Sequence, residues 1–313
     1  MLYRQLGKSG VRVSVIGLGT NRFGYERMPQ EEVTRVLDAA IELGINFLDS
    51  ADVYQNGRSE ETIGTALRGR REKFVVATKY FNKTGDGVND WGASRYHLYD
   101  AVNASLRRLQ TDHIDLYYVH NFDMTTPIEE MLRGLDDLVR AGKVRYIAAS
   151  NFLAWQVARA NLMAEVHGWS PFVAIQAHYH MLERDLEKEM LPYAQYSGVG
   201  VIPYFPLAGG FLTGKYQPNQ PAPAGSRGES SPYVQRYMTA DNYAILERLT
   251  GWAKERGHTS GDLAQAWLLA RPEVSSVISG ATRMEQVREN VKAAEWVITA
   301  QEFQEVNQIL AGK

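Results

Sequence analysis

The stretch at residues 73–120, KFVVATKYFNKTGDGVNDWGASRYHLYDAVNASLRRLQTDHIDLYYVH, carries the pattern that decides the fold. A short run rich in β-branched residues, KFVVATK, is followed by a loop, by the helical pattern SRYHLYDAVNASLRRLQ and by a second apolar run, IDLYYVH. Both short runs have the length and composition of buried strands. A strand, a helix and a strand in this order predict a parallel pair joined by a right-handed crossover.

The same alternation continues along most of the chain. If Ser14–Gly19 counts as the first strand, about eight strand–helix units follow one another, and eight units close well as a (β/α)8 TIM barrel. A doubly wound open sheet is the alternative, but Gly17-Leu18-Gly19 lacks the third glycine of a dinucleotide-binding motif. The N-terminus predicts a β-hairpin that plugs the bottom of the barrel, and the C-terminus predicts extra helices. We expect residues 1–313 to form one domain.

Charge and cysteine content exclude several classes of function. The 34 Lys and Arg residues nearly balance the 36 Asp and Glu residues without a basic block, so neither nucleic acid nor an anionic membrane is an expected partner. The absence of cysteine excludes disulfides and thiolate metal sites and suits a reducing cytoplasm. We expect a cytoplasmic protein, because the sequence has neither an apolar run long enough for a membrane span nor a signal-peptide core.

Ionisable residues occur at the ends of successive predicted strands. Asp49 ends the second strand, and Tyr54 stands in the loop after it. Lys79 ends the third strand and His120 ends the fourth. Each residue alone has a structural explanation, such as a loop cap or a packing residue. Because the active site of a TIM barrel lies at this end of its strands, four such residues at one rim predict a catalytic site.

Several motifs around these residues resemble those of the aldo-keto reductases. FLDSADVY at 47–54, the KY after VVAT, DLYYVH and IAASNF are similar to the family's motifs. The likeness extends through Gln176, PYFPLAGGFLTGKY and ISGATRMEQVRENVKAAEW, so it covers nearly the whole chain in the family's order. The family is a TIM barrel that binds NADP(H) without a Rossmann fold. The resemblance therefore implies an NADP-dependent oxidoreductase that reversibly reduces small aldehydes or ketones to alcohols.

The resemblance also implies a catalytic tetrad, which consists of Asp49, Tyr54, Lys79 and His120. Carbonyl reduction needs a hydride on the carbon and a proton on the developing alkoxide, and Tyr54 is the expected general acid/base. We expect the Lys79 ammonium to lower the pKa of this phenol, and Asp49 to keep Lys79 charged and in place. His120 is expected to orient the carbonyl oxygen.

The cofactor-binding residues are likewise implied by the resemblance. Ser150, Asn151 and Gln176 are expected on the nicotinamide carboxamide, whose donor and acceptor they match. Tyr204 is expected to stack on the nicotinamide. The other expected contacts are Thr20, Asn21 and Asp49 near the reacting centre, Phe205, Pro206, Leu207, Ala208, Gly209, Lys215 and Arg227 around the pyrophosphate, and Gly280, Ala281, Thr282, Arg283, Gln286, Glu289 and Asn290 at the adenosine end.

The adenosine end favours NADP over NAD. A helix that starts near Arg283 offers free N–H groups and a positive dipole end to the 2′-phosphate, and Thr282 adds a hydroxyl. No metal is expected.

Three further features concern the mouth of the predicted barrel. Phe205 stands where the family usually has a small hydroxyl residue, so only its backbone N–H is left for the pyrophosphate. The segment between about Gly209 and Thr239, rich in Pro, Gly and Ser, predicts a lid, because a loop this long is usually functional. Trp91, Tyr25 and Tyr80 are the candidate residues of an apolar substrate pocket.

Three alternative functions remain open. His178 and His180 flank Tyr179 and suit a metal hydrolase, although no obvious further ligands accompany them. Lys79 suits a Schiff-base aldolase, but a lysine beside a carboxylate should stay protonated. Potassium-channel β subunits also resemble this family and act as redox-linked binding partners, whereas the presence of His120 favours an enzyme.

Overall fold

A computed structural model describes residues 1–312 of the chain. Two short strands form an antiparallel hairpin at the start, β1 (Tyr3–Gln5) and β2 (Arg12–Ser14). Eight further strands form a closed barrel in which neighbours run parallel and the last strand pairs with the first. In chain order they are β3 (Ile16–Gly19), β4 (Phe47–Asp49), β5 (Val75–Tyr80), β6 (Ile114–Val119), β7 (Val144–Ser150), β8 (Phe172–His178), β9 (Gly200–Tyr204) and β10 (Val277–Gly280). The predicted TIM barrel with an N-terminal hairpin is confirmed.

Helices connect the barrel strands and cover the outside of the barrel. In chain order they are α1 (Gln30–Glu42), α2 (Arg58–Ala66), α3 (Arg95–Leu109), α4 (Ile128–Arg140), α5 (Ala154–His167), α6 (Met190–Ser197), α7 (Arg227–Ser230), α8 (Pro232–Gln235), α9 (Ala240–Lys254), α10 (Ser260–Leu269), α11 (Met284–Ala293) and α12 (Ala300–Leu310). The predicted first strand, 14–19, is divided, because Ser14 ends the hairpin and β3 begins at Ile16. Within residues 1–312, no helix is long and apolar enough to cross a membrane.

The interior of the barrel is a packed core that the hairpin closes at its N-terminal end. Leu6 and Val13 of the hairpin are fully buried against inward-facing strand residues, which are Phe47, Ala77, Leu116, Tyr118, Ala148, Ala174, Ile202 and Ile278. Burial of each aliphatic side chain contributes about 2 kcal/mol. Because the lower barrel is filled in this way, a ligand has access only from the opposite, C-terminal end of the strands.

Gly7 allows the hairpin turn to press directly against the barrel. Its φ of 57° lies in the left-handed region, which glycine adopts without steric cost. A Cβ atom at this position would lie 2.2 Å from the carbonyl oxygen of Val173 and 2.7 Å from the backbone nitrogen of Gly200. Both contacts are too short for any side chain, so glycine is required where the turn meets the first residues of β8 and β9.

Arg4 fastens the hairpin to the C-terminal end of α10. Its guanidinium donates to the carbonyl oxygens of Leu269 at 2.7 Å, Val274 at 2.7 Å and Arg271 at 3.1 Å. These carbonyls lie at and just after the helix end, where the helix dipole favours a positive charge. The half-buried guanidinium therefore bonds the last carbonyl of the helix, Leu269, and two carbonyls of the segment that follows it.

We predict that Arg4→Ala lowers the free energy of unfolding by about 2–4 kcal/mol, because it removes charge-assisted hydrogen bonds and leaves the carbonyls of Leu269 and Val274 without their side-chain donor. Urea unfolding followed by circular dichroism measures the change. Arg12→Ala, an exposed position on the same hairpin, is the matched control and should change stability by less than about 0.5 kcal/mol. Equal losses in the two variants would contradict the assignment of this role to Arg4.

Candidate active site

A cleft of about 950 Å³ opens at the C-terminal end of the barrel strands. Its volume lies at the upper end of the range for small-molecule sites. At one end it is lined by residues from strand ends, including Asp49, Tyr54 and His120. At the other end it extends over the residues around Arg283 at the start of α11. Since the strands are parallel, these residues converge from points far apart in the sequence.

A buried ion pair lies beneath this cleft. The Lys79 ammonium is fully buried and donates to Asp49 Oδ2 at 2.7 Å and to the carbonyl oxygen of Ser50 at 2.8 Å. Asp49 Oδ1 accepts from Gln176 Nε2 at 2.7 Å, so both carboxylate oxygens are bonded. Burial disfavours the ammonium, but Asp49 and Tyr54 outweigh it and raise the pKa of Lys79. Lys79 is thus a permanent cation at the base of the site.

Tyr54 lies against this cation, but its acidity differs from the sequence-based expectation. The Lys79 nitrogen is 5.1 Å from the centre of the Tyr54 ring. Burial raises the pKa of Tyr54, and the opposing effect of Lys79 only partly offsets this rise. Lys79 lowers the pKa of Tyr54 in the expected direction, but the net pKa is raised because desolvation of the phenol is the larger effect. Tyr54 holds its proton at neutral pH.

A tight turn sets the position of Tyr54. Residues Tyr54–Gly57 form a 3-10 turn in which Gln55 and Asn56 both have positive φ values, 50° and 55°. The amide of Gln55 donates to the carbonyl oxygen of Asn21 at 2.9 Å, which ties this turn to the loop after β3. The phenol is therefore carried by a loop that contacts its neighbours on both sides, which fixes its position in the cleft.

His120 follows β6 and brings an imidazole to the same wall of the cleft. Its ring centre is 6.2 Å from that of Tyr54, in an edge-to-face arrangement. Burial, together with the charge of Lys79, lowers the pKa of His120 to about 3. The imidazole is therefore neutral at physiological pH. Its Nδ1 atom lies 3.0 Å from the side-chain nitrogen of Asn82.

The residues expected on the nicotinamide carboxamide lie together beside this wall. Ser150, Asn151, Gln176 and Tyr204 all line the cleft. Asn151 has a φ of 58°, its Oδ1 accepts from the Tyr204 hydroxyl at 2.9 Å, and its Nδ2 donates to the His120 carbonyl oxygen at 3.0 Å. The amide nitrogen of Gln176 is already committed to Asp49. The group can hold a planar amide ligand next to Tyr54.

The opposite end of the cleft is cationic. Lys215, Arg227 and Arg283 line it as expected, and Arg22 and Arg27 from the loop after β3 also line it. None of these five cations forms a salt bridge in residues 1–312. Sequence reasoning missed Arg22 and Arg27, although their place just after Thr20 and Asn21 was an available signal. Unpaired cations in a cleft fit an anionic ligand such as a pyrophosphate.

Most of the other expected cofactor residues line the cleft, and one does not. Those that do are Thr20, Asn21, Phe205, Pro206, Leu207, Gly209, Gly280, Ala281, Thr282, Gln286, Glu289 and Asn290. Ala208 does not, because its side chain is fully buried at the start of a 3-10 turn. Its backbone turns under the cleft with a φ of 49°, which directs the methyl group into the core. The side chain of Ala208 therefore does not reach the cleft, and the expected pyrophosphate contact of Ala208 stays a prediction for its backbone.

Phe205 provides the cleft with an aromatic surface instead of a hydroxyl. Its backbone adopts a φ of 56°, and the guanidinium carbon of Arg227 lies 5.3 Å from the ring centre. Such a contact attracts a cation to the aromatic face. Burial and the nearby charge of Arg22 lower the pKa of Arg227. A guanidinium held in this way lies at the cleft wall and lacks an anion.

The predicted lid is an ordered segment rather than an open loop. Residues 209–239 begin within a 3-10 turn at Ala208–Thr213 and contain α7 and α8. The buried Tyr216 hydroxyl accepts from the Gly228 N–H at 3.0 Å and donates to the Gly209 carbonyl oxygen at 3.3 Å. These bonds connect the two halves of the segment beside the cationic end of the cleft.

The three candidate substrate-pocket residues differ in their positions. Tyr25 lines the cleft. Trp91 is half exposed on the loop after β5 and packs edge-to-face against Phe81, with ring centres 6.4 Å apart, outside the cleft lining. Tyr80 is fully buried and stacks on Tyr117 at 5.2 Å, so its assignment to the substrate pocket is wrong. Adjacent strand residues face opposite sides, and Tyr80 points outward because Lys79 points inward.

The two histidines of the metal-hydrolase alternative do meet, but as part of a polar cluster. Their Nε2 atoms lie 3.1 Å apart, and His180 Nε2 is 3.2 Å from the Tyr237 hydroxyl. His178 also stacks on Tyr204, with ring centres 5.3 Å apart. In the part of the chain that is described, no three His, Cys, Asp or Glu residues are grouped to hold a metal ion. The cluster connects the lid to the loop after β8, behind Tyr204.

Comparison with known proteins places the chain among oxidoreductases. The model of the Aldo/keto reductase family matches residues 15–311. The uncharacterized oxidoreductase YrpG of Bacillus subtilis strain 168 is 37% identical, with 100% of this chain and 97% of the relative covered. A probable voltage-gated potassium channel subunit beta of Arabidopsis thaliana is 36% identical, at 100% and 98% coverage. The versiconal hemiacetal acetate reductase of Aspergillus parasiticus is 32% identical, at 97% and 95% coverage.

A buried carboxyl group that the sequence did not indicate lies close to Tyr54. Asp52 is almost fully buried, and neither of its carboxyl oxygens has a hydrogen-bond partner among the described residues. Burial, and secondarily the charge of buried Glu60, raises the pKa of Asp52 to about 8, although Arg108 opposes the shift. The carboxyl group is thus protonated and neutral at physiological pH.

We predict that Asp52→Asn removes a pH-dependent loss of stability. Since the folded pKa is raised, folding binds a proton between about pH 4 and pH 8, so wild-type stability falls as the pH rises through that range. The variant should match wild type near pH 4 and exceed it at about pH 8.5 by at least about 1 kcal/mol. Urea unfolding at both pH values measures the difference, with Asp100→Asn, an exposed carboxylate on α3, as control. A constant difference between wild type and Asp52→Asn at both pH values would contradict the buried acid.

Proposed function

The chain belongs to the aldo/keto reductase family, and we propose that it reversibly reduces aldehydes or ketones to alcohols with NADP(H), using Tyr54 as the general acid/base. The observation that carries the proposal is the buried Lys79 ammonium, which is bonded to Asp49 and lies 5.1 Å from the Tyr54 ring. A phenol beside a fixed cation is suited to donate a proton to a developing alkoxide, because the cation stabilises the phenolate that remains. The substrate is a small carbonyl compound.

Each residue at this end of the cleft has a distinct role in the proposed reaction. NADPH, when bound, supplies the hydride for the carbonyl carbon. Burial keeps the proton on the Tyr54 oxygen until the carbonyl oxygen gains negative charge and accepts it. The phenolate that remains is stabilised by Lys79, whose own charge is secured by Asp49. In the oxidative direction, the same phenolate takes the proton from the alcohol.

The shape and charge of the cleft support a dinucleotide as the cofactor. Its polar amide-binding end lies beside Tyr54, and its cationic end carries Arg227 and Lys215. We favour NADP over NAD because α11 begins at Met284, directly after Arg283, so its free N–H groups and this guanidinium face the same end of the cleft. Gln286 accepts from the N–H of Thr282 at 2.8 Å, which closes the turn before this helix.

Two alternatives are weakened by the same geometry. A Schiff-base aldolase needs a neutral amine, whereas pairing with Asp49 keeps Lys79 protonated. A binding role like that named for the potassium channel subunit beta of Arabidopsis is the second candidate, because that relative is similar over the whole chain. The complete set of Asp49, Tyr54, Lys79 and His120 around one cleft favours turnover.

The remaining expectations also belong to the proposal. We propose that residues 1–313 act as one domain, that the protein works in the cytoplasm, and that neither nucleic acid nor a membrane is its partner.

We predict that Tyr54→Phe lowers kcat for carbonyl reduction by at least about 100-fold, because it removes the proton donor but keeps the ring. Initial rates with NADPH and a panel of aldehydes and ketones measure the loss. NADPH binding, followed by cofactor fluorescence, should stay nearly unchanged, and Tyr96→Phe on the exposed face of α3 should be silent in both assays. Wild-type turnover in Tyr54→Phe would refute the mechanism. If the wild-type protein bound a potassium channel stoichiometrically and showed no turnover, the binding role would be favoured over the enzyme.

We predict that Arg283→Ala weakens NADPH binding by about 10- to 100-fold, which corresponds to the loss of one charged hydrogen bond. NADH, which lacks the 2′-phosphate, should bind with nearly the same Kd before and after the change. Fluorescence titration with both cofactors measures the two values. Arg288→Ala, an exposed position on the same helix, is the control for a general loss of positive charge. If both cofactors weaken equally, Arg283 does not select the phosphate.

A further inference from the structure

We propose that Asn82 is a positioning residue that holds His120 in the tautomer with its proton on Nε2. Asn82 lies in the loop after β5, and His120 directly follows β6. The side-chain nitrogen of Asn82 lies 3.0 Å from His120 Nδ1. The position of this proton on Nε2 is inferred independently of the proposed carbonyl reduction. Only its use, as a donor to the carbonyl oxygen of a substrate, rests on the proposed function.

The direction of this hydrogen bond follows from the other partner of Asn82. Asn82 Oδ1 accepts from Asn121 Nδ2 at 3.3 Å, so the oxygen side of the amide is already bonded. The NH2 side therefore faces the imidazole, and it can only donate. His120 Nδ1 must accept this bond as a lone pair. A neutral imidazole that accepts at Nδ1 carries its hydrogen on Nε2.

The backbone on both sides holds the imidazole in register with Asn82. The His120 N–H donates to the carbonyl oxygen of Tyr80 at 2.9 Å, two residues before Asn82. The His120 carbonyl oxygen accepts from Asn151 Nδ2 at 3.0 Å. The ring thus lies between the ends of β5 and β7. To place Nε2 instead of Nδ1 against Asn82, His120 would have to break these two backbone hydrogen bonds.

The charges near the ring keep it neutral, so the tautomer matters. The charged and titratable groups around it are Lys79 on β5, Asp49 on β4, which is paired with that lysine, and Tyr54 after β4. Burial and the Lys79 charge lower the pKa of His120 to about 3. A second proton on Nδ1 would also face the N–H of Asn82. The imidazole therefore has one donor and one acceptor nitrogen. The hydrogen bond from Asn82 makes Nδ1 the acceptor and Nε2 the donor.

This tautomer gives the cleft a hydrogen-bond donor, the Nε2–H group of His120, in a fixed position. Nδ1 is occupied by Asn82, so Nε2 is the nitrogen left for a ligand in the cleft that His120 lines. With its hydrogen on Nε2, the ring donates to a carbonyl oxygen and polarises it. In the other tautomer, a nitrogen lone pair would face the oxygen lone pairs and repel them.

The direct test is the tautomer itself, read by 15N NMR of His120 in the wild-type protein without substrate. Protonated and unprotonated ring nitrogens differ strongly in 15N shift, and His120→Asn identifies the signals. We expect hydrogen on Nε2 and no titration between about pH 5 and pH 9. Asn82→Asp replaces the donor by a carboxylate, which accepts from Nδ1–H. This variant should transfer the hydrogen to Nδ1 and bring the titration of His120 into that range.

Two further variants separate the hydrogen bond from other effects. Asn82→Leu removes the donor without adding charge and should give a mixture of tautomers. Asn103→Asp adds the same charge on α3 and should leave the His120 signals as in wild type. In carbonyl reduction, Asn82→Asp should show a new loss of kcat as the pH rises through the raised pKa of His120, which a purely structural role of Asn82 would not produce.

Defined outcomes overturn the inference. Hydrogen on Nδ1 in wild type, or an unchanged Nε2–H tautomer in both Asn82→Asp and Asn82→Leu, would show that Asn82 does not set the tautomer. If Asn82→Asp does not fold, the loss of a single tautomer in Asn82→Leu carries the test. Hydrogen on Nε2 in wild type that is lost in the Asn82 variants, without turnover of any carbonyl by wild type, would support the role of Asn82 and count against the proposed function instead.

Discussion

The buried ion pair between Lys79 and Asp49 is the interaction on which the rest of the site depends. Removing either partner of such a pair leaves an uncompensated charge in the interior, which typically costs about 3–5 kcal/mol. Here the pair is also bonded to Gln176 on the far side of the barrel, so three strands, β4, β5 and β8, meet at one carboxylate. Because this arrangement is rigid, Lys79 presents a fixed charge to Tyr54 instead of a mobile surface ammonium.

The barrel separates two electrostatic environments along a single cleft. At one end, burial keeps Tyr54 protonated and His120 neutral, so this end offers donors and acceptors in defined places. At the other end, unpaired cations such as Arg227 and Arg283 attract negative charge. A long ligand with an uncharged planar head and an anionic tail matches this division. Parallel strands produce it because all their C-terminal ends, and the loops that follow them, face the same side.

Side-chain amides organise much of the wall beside Tyr54. Asn82 bonds the His120 ring, Asn151 bonds its backbone and the Tyr204 hydroxyl, and Gln176 bonds Asp49. An amide has a donor and an acceptor in one plane, so it can fix the orientation of its neighbour without adding charge. These amides therefore add no charge to the wall between the ion pair below the cleft and the cations that line it.

The amino-acid sequence by itself determined the barrel, the hairpin and the convergence of Asp49, Tyr54, Lys79 and His120, because local patterns set strand and helix order and parallel strands must end at one rim. The expectation that Tyr80 lines the substrate pocket was wrong, although strand alternation already argued against it, since Lys79 beside it faces inward. Only the tertiary structure decided what depends on burial and on loop paths. Burial raised the pKa of Tyr54 despite the charge of Lys79, the turn at Ala208 directed that side chain into the core, and the loop after β3 brought Arg22 into the cleft. These outcomes arise from desolvation and from contacts between distant segments, which no local pattern encodes.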